Sequence, residues 1–170
     1  MRRVAHMLAL ALLMLFGQAV VHAAGGGGGG GGGEGVNKES DDPVVTAARA
    51  AIAKQDWAGA QAGLKQALAD NPKNADYHNL YAYSLRKGPN PDMNLVFKHY
   101  EEALRLDPKH RGAHEYIGEA YLQVNDLARA KQHLAALDRI CFFPCEEYTD
   151  LKNAVASYEA THKVQLSQKP

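Results

Sequence analysis

The chain has 170 residues, of which 19 are basic and 19 acidic, with eight histidines, two cysteines and one tryptophan. Without Arg2 and Arg3 the balance is 17 basic against 19 acidic residues, so no global field attracts nucleic acid or anionic lipid. Beyond the first two dozen residues no apolar run is long enough to span a bilayer, and the length from Asp42 onward matches one domain.

The first element is a leader. Arg2 and Arg3 precede an unbroken apolar run, Leu8 to Phe16, and Val21-His22-Ala23 offers a signal-peptidase site. That layout predicts a secretory signal peptide over 1–23 and a periplasmic or secreted protein. An uncleaved anchor fits less well, because His6, Gly17 and Gln18 interrupt the apolar stretch. Gly25 to Gly35 follows, broken only by Glu34. Glycine loses the most entropy on ordering, so 24–41 is expected to be a disordered linker.

From Asp42 the chain repeats. Pro72, Pro108 and Pro144 lie 36 residues apart. The segment ADYHNLYAYSLRK (75–87) shares its spacing of apolar and small residues with GAHEYIGEAYLQV (112–124). Ala60, Leu64, Ala67 and Leu68 recur with helical spacing, as do Ala130, Leu134 and Leu137. Short turns such as Lys54-Gln55-Asp56 and Asn125-Asp126 join the helices in pairs, and a proline follows the second helix of each pair.

These features resemble the tetratricopeptide repeat (TPR) family, about 34 residues per two-helix unit. The likeness runs from about Pro43 to Phe143. The third repeat carries it best, with Ile117-Gly118, Ala120-Tyr121, Asn125-Asp126-Leu127, Ala130 and Leu134. The first repeat contributes Ala48, Trp57, Ala60, Leu64 and Ala67, and the second Leu80, Ala82, Leu85, Tyr100 and Ala103. Val96, where a small residue is usual, and a two-residue insertion around Gly88-Pro89-Asn90-Pro91 depart from the pattern.

The resemblance implies an all-α, right-handed α-solenoid of about three helix pairs, at 42–74, 75–110 and 111–143, plus a capping helix over 145–162. Tyr148, Leu151, Ala154, Val155 and Tyr158 supply the inward face of that cap, and 163–170 is expected to be a flexible tail. It also implies a concave groove lined by the first helix of each pair. The groove positions are Val45, Arg49 and Ile52, then Asn79, Tyr83 and Arg86, then Glu115, Glu119 and Leu122. Such a mixture suits an extended peptide or a helix with charged and apolar anchors. Some TPR domains clamp a partner's C-terminal carboxylate. The matching positions here are Val45, Arg49, Leu80, Gly112 and Tyr116, of which only Arg49 has the chemistry, so no clamp is expected.

Cys141 and Cys145 flank Phe142-Phe143-Pro144 between the third repeat and the cap. In an exported chain a close pair is expected to be oxidised, and closing so short a loop contributes about 2 kcal/mol. Phe142 and Phe143 are expected to pack beneath it. Two other readings stay open. The pair is redox-active if Cys145 opens a helix with a depressed thiol pKa. It handles a metal if it acts like exported copper chaperones, which share only the C-x-x-x-C spacing; His133 is then the nearest third ligand.

No catalytic signature stands out. His114-Glu115 begins an H-E-x-x-H motif, but Gly118 occupies the second histidine position. The glycine run lacks the Lys-Ser/Thr of a phosphate loop. The expectation is a non-enzymatic scaffold or adaptor, with no cofactor or metal, binding a protein or peptide in the cell envelope. The alternative is a thiol-redox or copper-handling accessory protein using Cys141 and Cys145.

Overall fold

The computed structural model describes residues 42–167. The expected leader, the glycine-rich linker up to residue 41 and the last three residues of the expected tail lie outside the described residues. Among the described residues there are seven helices and no strand: α1 (Pro43–Ala53), α2 (Trp57–Asp70), α3 (Ala75–Lys87), α4 (Met93–Leu106), α5 (Arg111–Gln123), α6 (Leu127–Ile140) and α7 (Glu146–Ser167). Helix α7 continues past residue 162, where the flexible tail was expected to begin.

The starts of α1 to α6 are written into the sequence as caps. Asp42 accepts from the Val44 and Val45 amides, Asp56 from Gly59, Asp92 from Asn94 and Leu95, and Asp126 from Arg129. Asn74 and His110, one repeat apart, cap α3 and α5 through Tyr77 N and Ala113 N. Each cap satisfies a donor that has no partner within its helix. The turns after α1, α3 and α5 pass through a left-handed residue, Gln55, Asn90 and Asn125 respectively. The Gly88–Pro91 insertion lengthens only the second of these turns.

The first helices of the pairs form one continuous layer. α1 touches α3, α3 touches α5, and α5 touches α7, whereas α2, α4 and α6 each wedge between two members of that layer without meeting one another. Helices that touch along the whole row lie on the inside of a curved stack. The inner layer is therefore α1, α3, α5 and α7, with the cap helix as its last member.

Two core clusters meet on opposite sides of α3. Val45, Ala48, Ala60, Leu64, Ala67, Tyr77 and Leu80 form one. Ala82, Val96, Tyr100, Ile117, Ala120, Tyr121, Ala130, Leu137, Leu151 and Val155 form the other. No repeat buries its own apolar face, so neighbours and cap supply the missing walls. Val96, the departure from the family pattern, is fully buried and fills its share of the second cluster. Ala82, Ala120 and Ala130 are fully buried, and there small side chains allow close helix approach. Gly118 is the tightest such point: a Cβ there would sit 2.6 Å from Leu151 Cδ2 on α7.

A second periodic feature is a pair of histidine contacts. His78 Nε2 donates to the Pro72 carbonyl at 3.0 Å, so its Nδ1 accepts from His99 Nδ1 at 2.8 Å. One repeat later His114 donates to Pro108 at 3.1 Å and accepts from His133 Nδ1 at 2.9 Å. Each contact ties an inner helix to the following outer helix and to the loop before it. The contact is lost when both rings are protonated, because two imidazolium Nδ1 groups both donate. Burial first, then the facing histidine, lowers both His99 and His133 to about 4.

Cys141 and Cys145 form a disulfide with a Cα separation of 5.9 Å. Phe142 and Phe143 do not pack beneath it. They are 93% and 76% exposed, edge to face with centroids 4.9 Å apart. The bridge ties both ends of the loop to the helix termini, and the five-residue ring is too short to turn its tip back onto the core. His133 does not join the two cysteines in a ligand set: its Nδ1 meets His114 on the neighbouring helix. No group of three His, Cys, Asp or Glu residues among those described is close enough to hold a metal ion.

Two outcomes follow. Gly118→Ala should destabilise the protein by roughly 1–2 kcal/mol, because overpacking against the fully buried Leu151 outweighs the gain in helix propensity. Gly63→Ala, in a helix with nothing within 4 Å of the new methyl, should instead stabilise by up to about 1 kcal/mol. Urea titration of both variants checks the contrast. The histidine pairs give a pH signature. The folded pKa values of His99 and His133 lie below the unfolded 6.5, so the stability they contribute is full above that value and falls as pH drops towards about 4. His99→Asn with His133→Asn should remove part of that acid loss, on the order of 1–2 kcal/mol per histidine after discounting for partial exposure. Thermal melts across the window measure it.

Candidate functional site

The inner layer decides where the expected groove residues go. A helix in such a row shows neighbours on two sides and keeps one stripe for the concave face. On α1, Arg49 is exposed, but Val45 is 1% exposed and belongs to the core, and Ile52 packs against that core. The Arg49 charge helps, after the His110 hydrogen bond, to hold the Asp76 carboxyl below its ordinary range. On α3, Asn79 is buried and its Oδ1 has no hydrogen-bond partner. Tyr83 is half-buried.

Arg86 sits deeper than an open groove position would. Its side chain is 2% exposed, with NH2 donating to Glu119 Oε2 at 2.7 Å and Nε donating to the Tyr100 hydroxyl at 3.4 Å. Burial works against the guanidinium charge, but Tyr100 and Glu119 more than offset it and hold the pKa above its ordinary value. Tyr100 is fully buried, and its own pKa is pushed well up by that burial. Arg86 thus forms the floor of the concave face and ties α3, α4 and α5 together.

On α5, Glu119 partners Arg86, and Leu122 packs on the core. Glu115 is 8% exposed. Burial, then the charges of Glu119, Asp150 and Glu147, push its carboxyl up to about 8, with Arg86 opposing. Glu115 therefore carries a proton at neutral pH.

The structure brings Tyr83, Arg86, Glu115 and Glu119 to one face, and it leaves Val45, Asn79 and Leu122 sunk in or against the core. It also adds residues that the sequence reading did not assign to the groove. Tyr116 stacks obliquely on Tyr83 at 4.6 Å between centroids, and Arg86 lies over the Tyr83 ring at 5.5 Å. Trp57 extends the aromatic row, 6.4 Å from Tyr83. Glu147 and Asp150 reach the site from α7. The signal for Asp150 was present: Asn79, Glu115 and Asp150 are each the fifth residue of α3, α5 and α7 respectively. Treating α7 only as a cap hid that register.

An apolar slot of about 280 Å³ lies elsewhere, between α1 and α2, lined by residues such as Val44, Ala47, Gly63 and Leu64. None of the groove residues lines it. Among the described residues no helix is long and apolar enough to cross a membrane.

No family model matches the chain, and no curated protein matches it. Solved structures do. The TPR2B domain of yeast Sti1, in a structure described as its pHsp70 complex, superposes with a TM-score of 0.58 at 15% identity. The match covers 69% of this chain and 94% of that one. The type III secretion translocator chaperone SycD of Yersinia enterocolitica gives a TM-score of 0.61 at 15% identity, covering 79% and 97%. A second structure of SycD, an alternative dimer, gives 0.58 at 20%, covering 76% and 98%. At these identities the likeness speaks to fold alone: this chain is an all-α, TPR-like helical solenoid.

Proposed function

We propose that this chain is an exported, non-enzymatic adaptor that holds a segment of a partner protein along the inner face of α1, α3, α5 and α7. One observation carries the reading. The inner layer places an aromatic pair, Tyr83 and Tyr116, beside the Arg86–Glu119 ion pair and the Glu115 carboxyl on a single face. Such a face anchors apolar side chains and reads charge along an extended or helical segment. The two named neighbours are a TPR domain in a pHsp70 complex and a type III secretion translocator chaperone, which agrees with a protein-binding role. Export is supported by the Arg2-Arg3 and Leu8–Phe16 pattern and by the close cysteine pair.

A photo-crosslinking residue in place of Tyr83 tests the reading in the cell envelope. One dominant protein adduct is expected, weakened severalfold by Arg49→Glu on the groove rim and absent with the probe at Lys65 on α2. Equal labelling from Tyr83 and Lys65 would mean that the inner face holds no partner.

A further inference from the structure

The groove floor holds a carboxyl group without a counter-ion. Glu115 is 8% exposed, and no hydrogen bond or ion pair reaches it among the described residues. Its neighbours do not compensate for it. Arg86 is committed to Glu119 at 2.7 Å, and the Arg111 guanidinium lies 3.7 Å from Glu147 Oε1. Asp150 adds a further negative charge from α7. Glu147 Oε2 is itself buried with no donor. A buried acceptor left this way costs free energy that a fitting donor recovers.

We propose that the inner face of α5 and α7 receives one lysine or arginine side chain of the partner, with the Glu115 carboxylate as its ion-pair partner and Asp150 beside it. The proposal rests on the groove reading above and names the chemistry the groove selects. No set of three His, Cys, Asp or Glu side chains placed to hold a metal ion occurs among the described residues. An ammonium or guanidinium on a long side chain reaches between the two carboxylates. The Tyr83 and Tyr116 rings, 4.6 Å apart, flank the approach and offer their faces to a cation. Arg86 already uses the Tyr83 ring in this way.

The empty site keeps Glu115 protonated, which removes the cost of an unpaired buried charge. An entering cation displaces that proton to solvent and takes its place. Binding should therefore release a proton at neutral pH and tighten as pH rises through about 8, while the incoming lysine or arginine stays charged.

The test selects random short peptides against the full chain and keeps those that block photo-crosslinking from the Tyr83 position. Calorimetry then measures them against wild type, the Glu115→Gln, Asp150→Asn double variant, and the outer-helix control Glu101→Gln. The expected peptides share a lysine or arginine. Replacing it by norleucine should weaken binding about tenfold or more, as should the double variant, which should also abolish the tightening with pH. Glu101→Gln should change nothing. Groove-blocking peptides that lack a basic residue and ignore the double variant would overturn this proposal and leave the adaptor reading standing. Selection yielding no groove-blocking peptide would overturn both.

Discussion

A buried guanidinium holds this solenoid's working face together. Arg86 lies at the end of α3, almost wholly out of water, and contacts Tyr100 on α4 and Glu119 on α5. A charge in that position is tolerated only when its donors are satisfied and a counter-charge is close. The apolar repeats supply the bulk of the burial, but they have no directional preference. The Arg86 contacts add direction: they fix the rotation of α5 against α3. That rotation presents Tyr116 to Tyr83 and turns Glu115 towards α7. The concave chemistry follows from it.

The same arrangement explains why the acidic side of the groove is uncompensated. Glu119 is used for structure, so its charge is spent on Arg86 and not on a ligand. Glu147 faces Arg111 in the same manner. What remains open is the carboxyl with no partner, Glu115, and it lies where the cap helix closes the row. The cap is therefore more than a lid over the last apolar face. Leu151 fills the space above Gly118, and one residue before it Asp150 faces the groove.

Much of the fold was legible in the residues. The proline period, the short turns and the helical spacing of apolar positions marked the helix pairs from α1 to α6. The small residues Ala82, Ala60 and Ala130 were readable as close-approach points. Gly118 was legible as part of the third repeat, but its partner on the cap helix was not. The misses have physical causes. Arg86 lies on the groove face as expected, but its depth was not legible, because Tyr100 and Glu119, distant in sequence, make its burial tolerable. Phe142 and Phe143 looked like core because they are large and apolar, but the disulfide holds them on a ring too small to fold inward. His133 was read as a neighbour of Cys141 along its helix, whereas its ring faces His114 across the helix pair. Histidine pairing across helices leaves no trace in a single-helix pattern. It does leave one in the repeat, since His78 and His114 share a register.

The most direct test of this account is a double-mutant cycle on Arg86 and Glu119, read by urea denaturation. Glu119→Met alone leaves the buried guanidinium without its carboxylate and should cost roughly 2–4 kcal/mol, less than a fully buried pair because Glu119 is 30% exposed. Adding Arg86→Met should restore part of that loss, giving a coupling of at least about 1 kcal/mol. Additive losses with no coupling would contradict the account, because the concave face would then be positioned by apolar packing alone.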